Sequence, residues 1–337
     1  MKIIKEKNVE DNIISGLKKL GNFPWISQLD GQIYFRSDNL VIVFIAGDPI
    51  SKDIFDLINS VVEGLGFKWV CINISLHETL LEQDNYVYYN IFCWEVIKIQ
   101  VNGKEIPFSK DFIEKLKNNK RNFDFVSFNR NFTKPHRTFF VEEVVRRNLW
   151  DTSLISVHGC IEGLEDYTPS SIDHKYSTLV YKKSVDKFLR YEKDDIIYSD
   201  GRVLDDILQS VFYSVITESY IDYEERCLTE KIFRFLACSP FILIGAQGML
   251  EHLREEGFKT SSYMFDESYD NIEDDDERIL FVMDEIERFS KLDYDTKMSK
   301  YLKSFDNILH NQEIFLKKNT QTYSELEFPL ELAEMIE

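Results

Sequence analysis

The stretch NLVIVFIAGDP, Asn39 to Pro49, limits the fold more than any other part of the chain. Its apolar run is unbroken from Leu40 to Ala46 and is closed by Gly47 and Pro49, the pattern of a strand buried on both faces of a parallel sheet. KDIFDLINSVVEGLGF follows, with Ile54, Phe55, Ile58, Val61 and Val62 at helical spacing and a stop at Gly64 and Gly66. KWVCINIS then reads as the next strand. Strand, helix and strand make one βαβ unit, and the class is α/β.

The alternation returns further on. YVYYNIFCWEVIKIQVNG is rich in aromatic and β-branched residues and reads as strand, while SKDFIEKLKNNKRN reads as a short polar helix or linker. FDFVSF, HRTFFVEEVVRRNLW and SLISVHG repeat strand, helix, strand, and the region from Val211 to Ile244 does so again. A chain of 337 residues, 44% hydrophobic, is long for a single core and fits two α/β domains at roughly 150 residues each. The expected division is residues 1–120, residues 121–305 and a C-terminal tail, 306–337, with a cleft between the two domains. Within the tail, QTYSELEFPLELAEMIE is expected either to form a helix packing back across a domain or to serve as an acidic interaction tail. IEDDDER, Ile272 to Arg278, reads as a helix start with acids set against the dipole.

With 59 acidic residues against 40 basic ones, the formal net charge of -19 opposes tracking along a nucleic-acid backbone, so any contact with DNA is expected to be local. Cys71, Cys93, Cys160, Cys227 and Cys238 are scattered and never spaced as CxxC, which points to neither a disulfide framework nor a zinc site. The first residues, MKIIKEKNVEDN, are too charged for a signal peptide, and no run approaches the roughly 18 apolar residues of a membrane span. A soluble, cytoplasmic protein is expected.

Two stretches carry candidate chemistry. In SFNRNFTKPHRTFFVEEVV a strand ends at Phe128, a loop follows, and Pro135 stands where a first helical turn tolerates it. The helix is predicted to begin at Lys134 to His136, its unpaired N–H groups facing a loop in which Arg130, Lys134, His136 and Arg137 add donors. A basic loop paired with an acidic protein is the plainer alternative. The coincidence of strand end, basic loop and helix start at the usual ligand position of an open α/β sheet favours an anion site. The second stretch is TESYIDYEERCLTEKIFRF, running into SPFILIG and a turn with Gly245 and Gly248. Leu228, Ile232, Phe235 and Leu236 make an apolar stripe with Glu230 opposite and Lys231 at its edge, an ordinary amphipathic helix. Periodicity does not account for Glu218 or Glu230.

The order of a Glu, a short acidic and aromatic loop, TEK, an apolar helix, SPFILIG and a glycine turn resembles the nucleotide-sugar-binding segment of GT-B glycosyltransferases, which have two Rossmann-like domains facing across a cleft. It is most similar to the fucosyltransferase-like and exostosin-like groups and to transferases encoded by bacteriophages, over roughly Phe123 to Phe265. NRNFTKPHR resembles their basic loop and helix at the donor diphosphate. The resemblance implies that Arg130 and Arg137 meet the diphosphate, with Lys134 of the same basic loop beside them as a cofactor-binding candidate, Glu218 the sugar or ribose hydroxyls, Glu230 the ribose and Lys231 the phosphates. It implies a UDP- or GDP-sugar donor and, if the chain is phage-encoded, location in the host cytoplasm. Glu218 and Glu230 are twelve apart, longer than the fucosyltransferase pattern and unlike the EX7E of many retaining enzymes, which leans toward inversion.

Glycosyl transfer passes through an oxocarbenium-like state while a nucleoside diphosphate departs, so fixed cations at the phosphates and a base on the acceptor hydroxyl serve it most. Asp293-Tyr-Asp295 lies in a helical context, leaving no convincing DxD, and a metal-independent site built on Arg, Lys and a helix dipole is expected. Asp48, at a strand's carboxyl end, and His77 with Glu78 after CINIS are the candidate bases. The structural alternatives are a helix cap at Asp48 and a capping box from Ser75 to Glu78. His158, after SLIS, either lines the cleft or ends a strand. Trp25, Tyr86, Tyr88 and Tyr89 are available as stacking surfaces, although most aromatic residues belong to cores. The acceptor is expected to be a glycan or small hydroxyl compound, or a hydroxymethylated pyrimidine in phage DNA. The other function class is a protein that keeps the nucleotide pocket without catalysis and sequesters its ligand.

Overall fold

A computed structural model of the chain describes residues 3–21, 29, 33–36, 39–45, 50–73, 75–90, 110–129, 134–157, 207–221, 226–318, 322–323 and 328–329. The chain divides into two compact units: Met1–Glu95 with Tyr223–Thr229 and Lys318–Glu337, and Val96–Asp222 with Glu230–Lys317.

In the first unit, strands β1 (Ile3–Ile4), β2 (Ile33–Arg36), β3 (Leu40–Ile45), β4 (Lys68–Asn73) and β6 (Tyr86–Tyr88) form one sheet in that order. The predicted βαβ unit is present as β3, helix α2 (Lys52–Gly64) and β4, with β3 and β4 parallel from Leu40↔Lys68 to Ile45↔Asn73. Ser51 caps α2 by accepting from the Ile54 N–H at 3.4 Å, and Gly66 takes the left-handed φ of +81° that ends it. Phe55, Ile58 and Val62 of α2 pack with Ile13 and Leu17 of α1 (Lys7–Leu20) and with Val41, Val43, Trp69 and Cys71 of the sheet. Antiparallel β1 and β2 make this sheet mixed, where a Rossmann-like one was expected.

Two short elements complete the unit. β5 (Ser75–Leu76) pairs antiparallel with β10 (Arg226–Cys227), Arg226 opposite Leu76, so a segment from far along the sequence is seated here. Helix α3 (Glu78–Leu81) begins after His77 with no side-chain cap. Ser75, the cap in the alternative reading of SLHETL, is committed to a strand instead. Thr322–Tyr323 and Phe328–Pro329 pair antiparallel, so the described residues of QTYSELEFPLELAEMIE are strand where a helix was one expectation.

The second unit is built on a fully parallel sheet in the order β11 (Phe241–Ile244), β9 (Val211–Thr217), β7 (Phe123–Asn129), β8 (Ser153–Val157). Every residue of β9 and β11 is buried, as expected for strands covered on both faces. The chain leaves β7 through α5 (Pro135–Arg146) to β8 on one side. It leaves β9 toward β11 on the other, through α6 (Glu230–Leu236). The order of connection therefore reverses between β7 and β9, a topological switch point. Tyr213 packs edge-on against Phe265 at 4.8 Å and Phe289 at 5.0 Å, and each such buried ring contributes about 1.5 to 3 kcal/mol by burial.

The division of the chain differs from the expected one at 120/121. Arg121, 3% exposed, donates to the carbonyls of Leu208 at 2.5 Å and of Leu116 in α4 (Lys110–Asn118), and to the Tyr301 hydroxyl at 2.5 Å. It thereby binds α4 to the second unit. Helix α10 (Phe305–Lys318), expected as a separate tail, is also part of that core: Asn311 donates to Leu236 O at 3.1 Å, and Gln312 to Ala237 O at 2.7 Å. Helices α8 (Asp275–Ser290) and α9 (Tyr294–Lys303) start on aspartate caps. Asp274 accepts from Glu277 N at 2.8 Å, so IEDDDER starts a helix as read from sequence, and Asp293 accepts from Thr296 N at 2.9 Å. Among the described residues, no helix is long and apolar enough to cross a membrane.

Candidate functional site

Strands β7 and β9 are tied at their carboxyl ends by their last side chains. Thr217 Oγ1 donates to Asn129 Oδ1 at 2.6 Å, and Asn129 Nδ2 donates to Ser127 Oγ at 3.1 Å. The backbone continues the ladder for one more residue, with Glu218 N donating to Ile244 O at 2.8 Å. Glu218 is 0% exposed, and its Oε2 accepts from Ser219 N at 3.1 Å. Gly245, beyond β11, makes this close packing possible: a Cβ there would overlap Met249 Sδ and lie 3.7 Å from Glu218 Cβ.

Helix α5 faces this segment with its first turn. Lys134 is its N-cap residue in extended conformation without a side-chain cap, and Pro135 occupies the first turn, where its missing N–H costs nothing. Lys134 Nζ donates to Ser219 O and lies 4.1 Å from the centre of the Tyr220 ring. His136 Nε2 donates to Glu218 O at 2.9 Å, which fixes the tautomer with its proton on that nitrogen. Burial, assisted by the charges of Arg137 and Lys134 and resisted by the Glu218 carbonyl, pushes the imidazole pKa from its ordinary 6.5 down to about 3. Arg137, 2% exposed, donates from Nη2 to Thr217 O and Glu218 O, each at 3.1 Å. From the other loop, Lys231 in the first turn of α6 donates from Nζ to Ser219 Oγ at 3.0 Å. Two ammonium groups, from two helices on opposite sides of the switch point, thus converge on Ser219.

A further helix N-terminus lies at this edge. Gly248, at φ +75°, turns the chain into α7 (Met249–Glu255). Asp270, 3% exposed, accepts from Leu250 N through Oδ1 and from Glu251 N through Oδ2, both at 2.9 Å. The N–H groups behind the glycine turn therefore already hold a carboxylate. Arg278, also 3% exposed, secures the surrounding loops by donating to Gly245 O at 2.9 Å, Ile272 O at 2.6 Å and Ile221 O at 3.3 Å.

Of the residues singled out from sequence, Lys134, Arg137, Glu218 and Lys231 are brought together here. Arg137 is placed otherwise than the resemblance implies: its guanidinium is inside the protein, donating to strand-end carbonyls. His136 joins it as a neutral lock on the same carbonyl and adds no positive charge. Arg130, Asp48 and His158 lie outside the described residues, and so do the side chains of Glu78, the first residue of α3, and Glu230, the first of α6. Ser219, Tyr220 and Asp270 escaped the sequence reading. The ESY that follows β9 was the available signal for the first two, and nothing in the pattern around Asp270 announced a cap for a helix some twenty residues earlier. The chain matches no protein-family model, no curated protein and no solved structure.

Proposed function

We propose that the second unit binds the diphosphate of a nucleotide-sugar at the switch point between β7 and β9, and that the protein is a GT-B glycosyltransferase. The observation that carries this reading is the convergence of Lys134 and Lys231 on Ser219, beside the N-terminus of α5, which has no side-chain cap. Ammonium groups held on a carbonyl and a hydroxyl can exchange those acceptors for phosphate oxygens, and charge-assisted bonds are the stronger ones. The helix start adds a positive dipole end. The N-terminus of α7, at the same edge, is already taken by Asp270.

In this reading the leaving nucleoside diphosphate is met by lysines and a helix dipole without a divalent metal, and UDP- and GDP-sugars are the donors to test. The sugar passes, with inversion, to a hydroxyl of a glycan or small compound. A hydroxymethylated pyrimidine in phage DNA is the other acceptor, against which the net charge of -19 weighs. Asp48 and Glu78 are the candidate bases on the acceptor. One observation favours a second reading, binding without transfer: Glu218, assigned to sugar hydroxyls by resemblance, is fully buried with Oε2 on Ser219 N.

A thermal-shift screen against UDP, GDP, CMP and dTDP and their sugars, in EDTA, tests the proposal, because a ligand that binds the native state raises its melting temperature. A shift with one nucleoside diphosphate, kept in EDTA, is expected. Release of sugar from the matching donor would then separate a transferase from a binding protein.

A further inference from the structure

Arg278, the last residue of IEDDDER, lies in the first turn of α8 and is buried there with its guanidinium spread over three loops. Its Nε donates to Gly245 O at 2.9 Å, and its Nη1 to Ile272 O at 2.6 Å and Glu273 O at 3.2 Å. Its Nη2 donates to Ile221 O at 3.3 Å and to the Asp275 carboxylate. Buried loop carbonyls need such donors, because no strand ladder or helix supplies them. One planar fork thus joins the loop after β9, the loop after β11 and the loop that leads into α8. All of these residues belong to the second unit.

Two of the three loops bear on Ser219. On one side, Glu218 N is held at 2.8 Å by Ile244 O, whose neighbour Gly245 is held by Arg278. On the other, Ile221 O is held by Arg278 directly. Two residues of chain reach at most about 7 Å, so these points bracket the carbonyl and hydroxyl of Ser219 that accept from Lys134 and Lys231. Tyr220, between Ser219 and Ile221, is held in turn by Lys134, whose Nζ lies 4.1 Å from the ring centre.

We infer that Arg278 is a positioning residue for Ser219: by holding Gly245 O and Ile221 O with one guanidinium, it sets where Ser219 stands and so where the ammonium groups of Lys134 and Lys231 meet. For ligand binding the inference rests on the reading of this place as a phosphate site; for the order of residues 219–221 it rests on the hydrogen bonds alone.

The test uses the 337-residue chain with Arg278→Lys, which keeps the charge on one nitrogen in place of the fork, and with Arg278→Gln. Hydrogen exchange is measured over peptides covering residues 219–221 and 272–278, with β8 as the internal reference. Faster exchange at 219–221 by roughly three- to tenfold, with β8 unchanged, is expected for loss of one such bond. Wild-type exchange at 219–221 in a folded variant, whether or not 272–278 loosens, would overturn the inference, because Arg278 would then serve only the start of α8. Loss of the fold in both variants, or equal acceleration in β8, would overturn it too, making Arg278 a residue of global stability. UDP and GDP are then titrated into wild type, Arg278→Lys, Lys134→Ala and the double variant. A loss of affinity in Arg278→Lys that shrinks in the Lys134→Ala background is expected, because a residue acting through another then has less to position. Equal losses in both backgrounds would overturn it. Failure of both nucleotides to bind wild type would overturn the phosphate-site reading, and the exchange result would then decide the role of Arg278 by itself.

Discussion

Arg137 and Glu218 meet through the main chain: the guanidinium Nη2 donates to the Glu218 carbonyl at 3.1 Å and to that of Thr217 at the same distance. The strongest cation of the basic stretch is therefore a brace under the strand end from which Glu218, Ser219 and Tyr220 emerge. Stability and binding should separate accordingly. Arg137→Ala is expected to cost about 2 to 4 kcal/mol in urea unfolding, from lost charge-assisted bonds and the space left in a packed interior. Lys134→Ala, at a half-buried position, should cost less than about 1 kcal/mol of stability while weakening nucleotide binding by about 1.5 to 3 kcal/mol.

His136 makes stability depend on acidity. Its folded pKa, about 3, lies below the 6.5 of an exposed imidazole, so between those values the unfolded chain binds more protons than the folded one. The contribution of neutral His136 is complete above pH 6.5 and is lost as pH falls through that window, at up to about 1.4 kcal/mol per pH unit. Unfolding curves of wild type and His136→Gln at several pH values from 7 downward, on the order of one unit apart, check this, with a shallower slope expected in the variant.

Lys297 Nζ, on α9, lies 2.6 Å from Asp124 Oδ1 on β7, with side chains only 11% and 6% exposed. Burial raises the Asp124 pKa, and the hydrogen bond and charge of Lys297 oppose that rise. Lys297→Met should cost about 3 to 5 kcal/mol, because a buried carboxylate is left without its cation. Adding Asp124→Asn should recover a large part of the loss in the same unfolding assay. The penalty of Lys297→Met should also shrink in acid, where the carboxyl group takes up a proton.

Asp270→Ala removes the carboxylate that accepts from Leu250 N and Glu251 N. A loss of about 1 to 2 kcal/mol is expected, as for other helix N-terminal caps, with Asp270→Asn milder because one carbonyl oxygen remains. Faster amide exchange at Leu250 and Glu251 in the Ala variant, with β9 unchanged, would locate the effect.

The strands β3, β4, β7, β9 and β11 were legible because strands covered on both faces need long apolar runs. α5 was legible from Pro135, and α8 from its acidic start. The two-residue ladders of β5 with β10 and of 322–323 with 328–329 have no period to read, so the return of residues 223–229 to the first unit was invisible in the sequence. Lys134, Glu218 and Lys231, singled out far apart in the sequence, are brought together at the switch point. Side-chain direction was not legible, since an arginine at a helix start looks the same in sequence whether it faces a phosphate or a carbonyl. Arg137 shows that limit, and Asp270 shows the matching one for a cap supplied from a distant loop.

The most direct measurement is calorimetric titration of UDP and GDP, in EDTA, into the wild-type chain and its Lys231→Ala variant. Binding of one nucleotide by wild type, weakened by about tenfold or more in the folded variant, is the result expected if Lys231 contacts the diphosphate. Equal affinity in the two proteins, or no binding of either nucleotide by wild type, would contradict it.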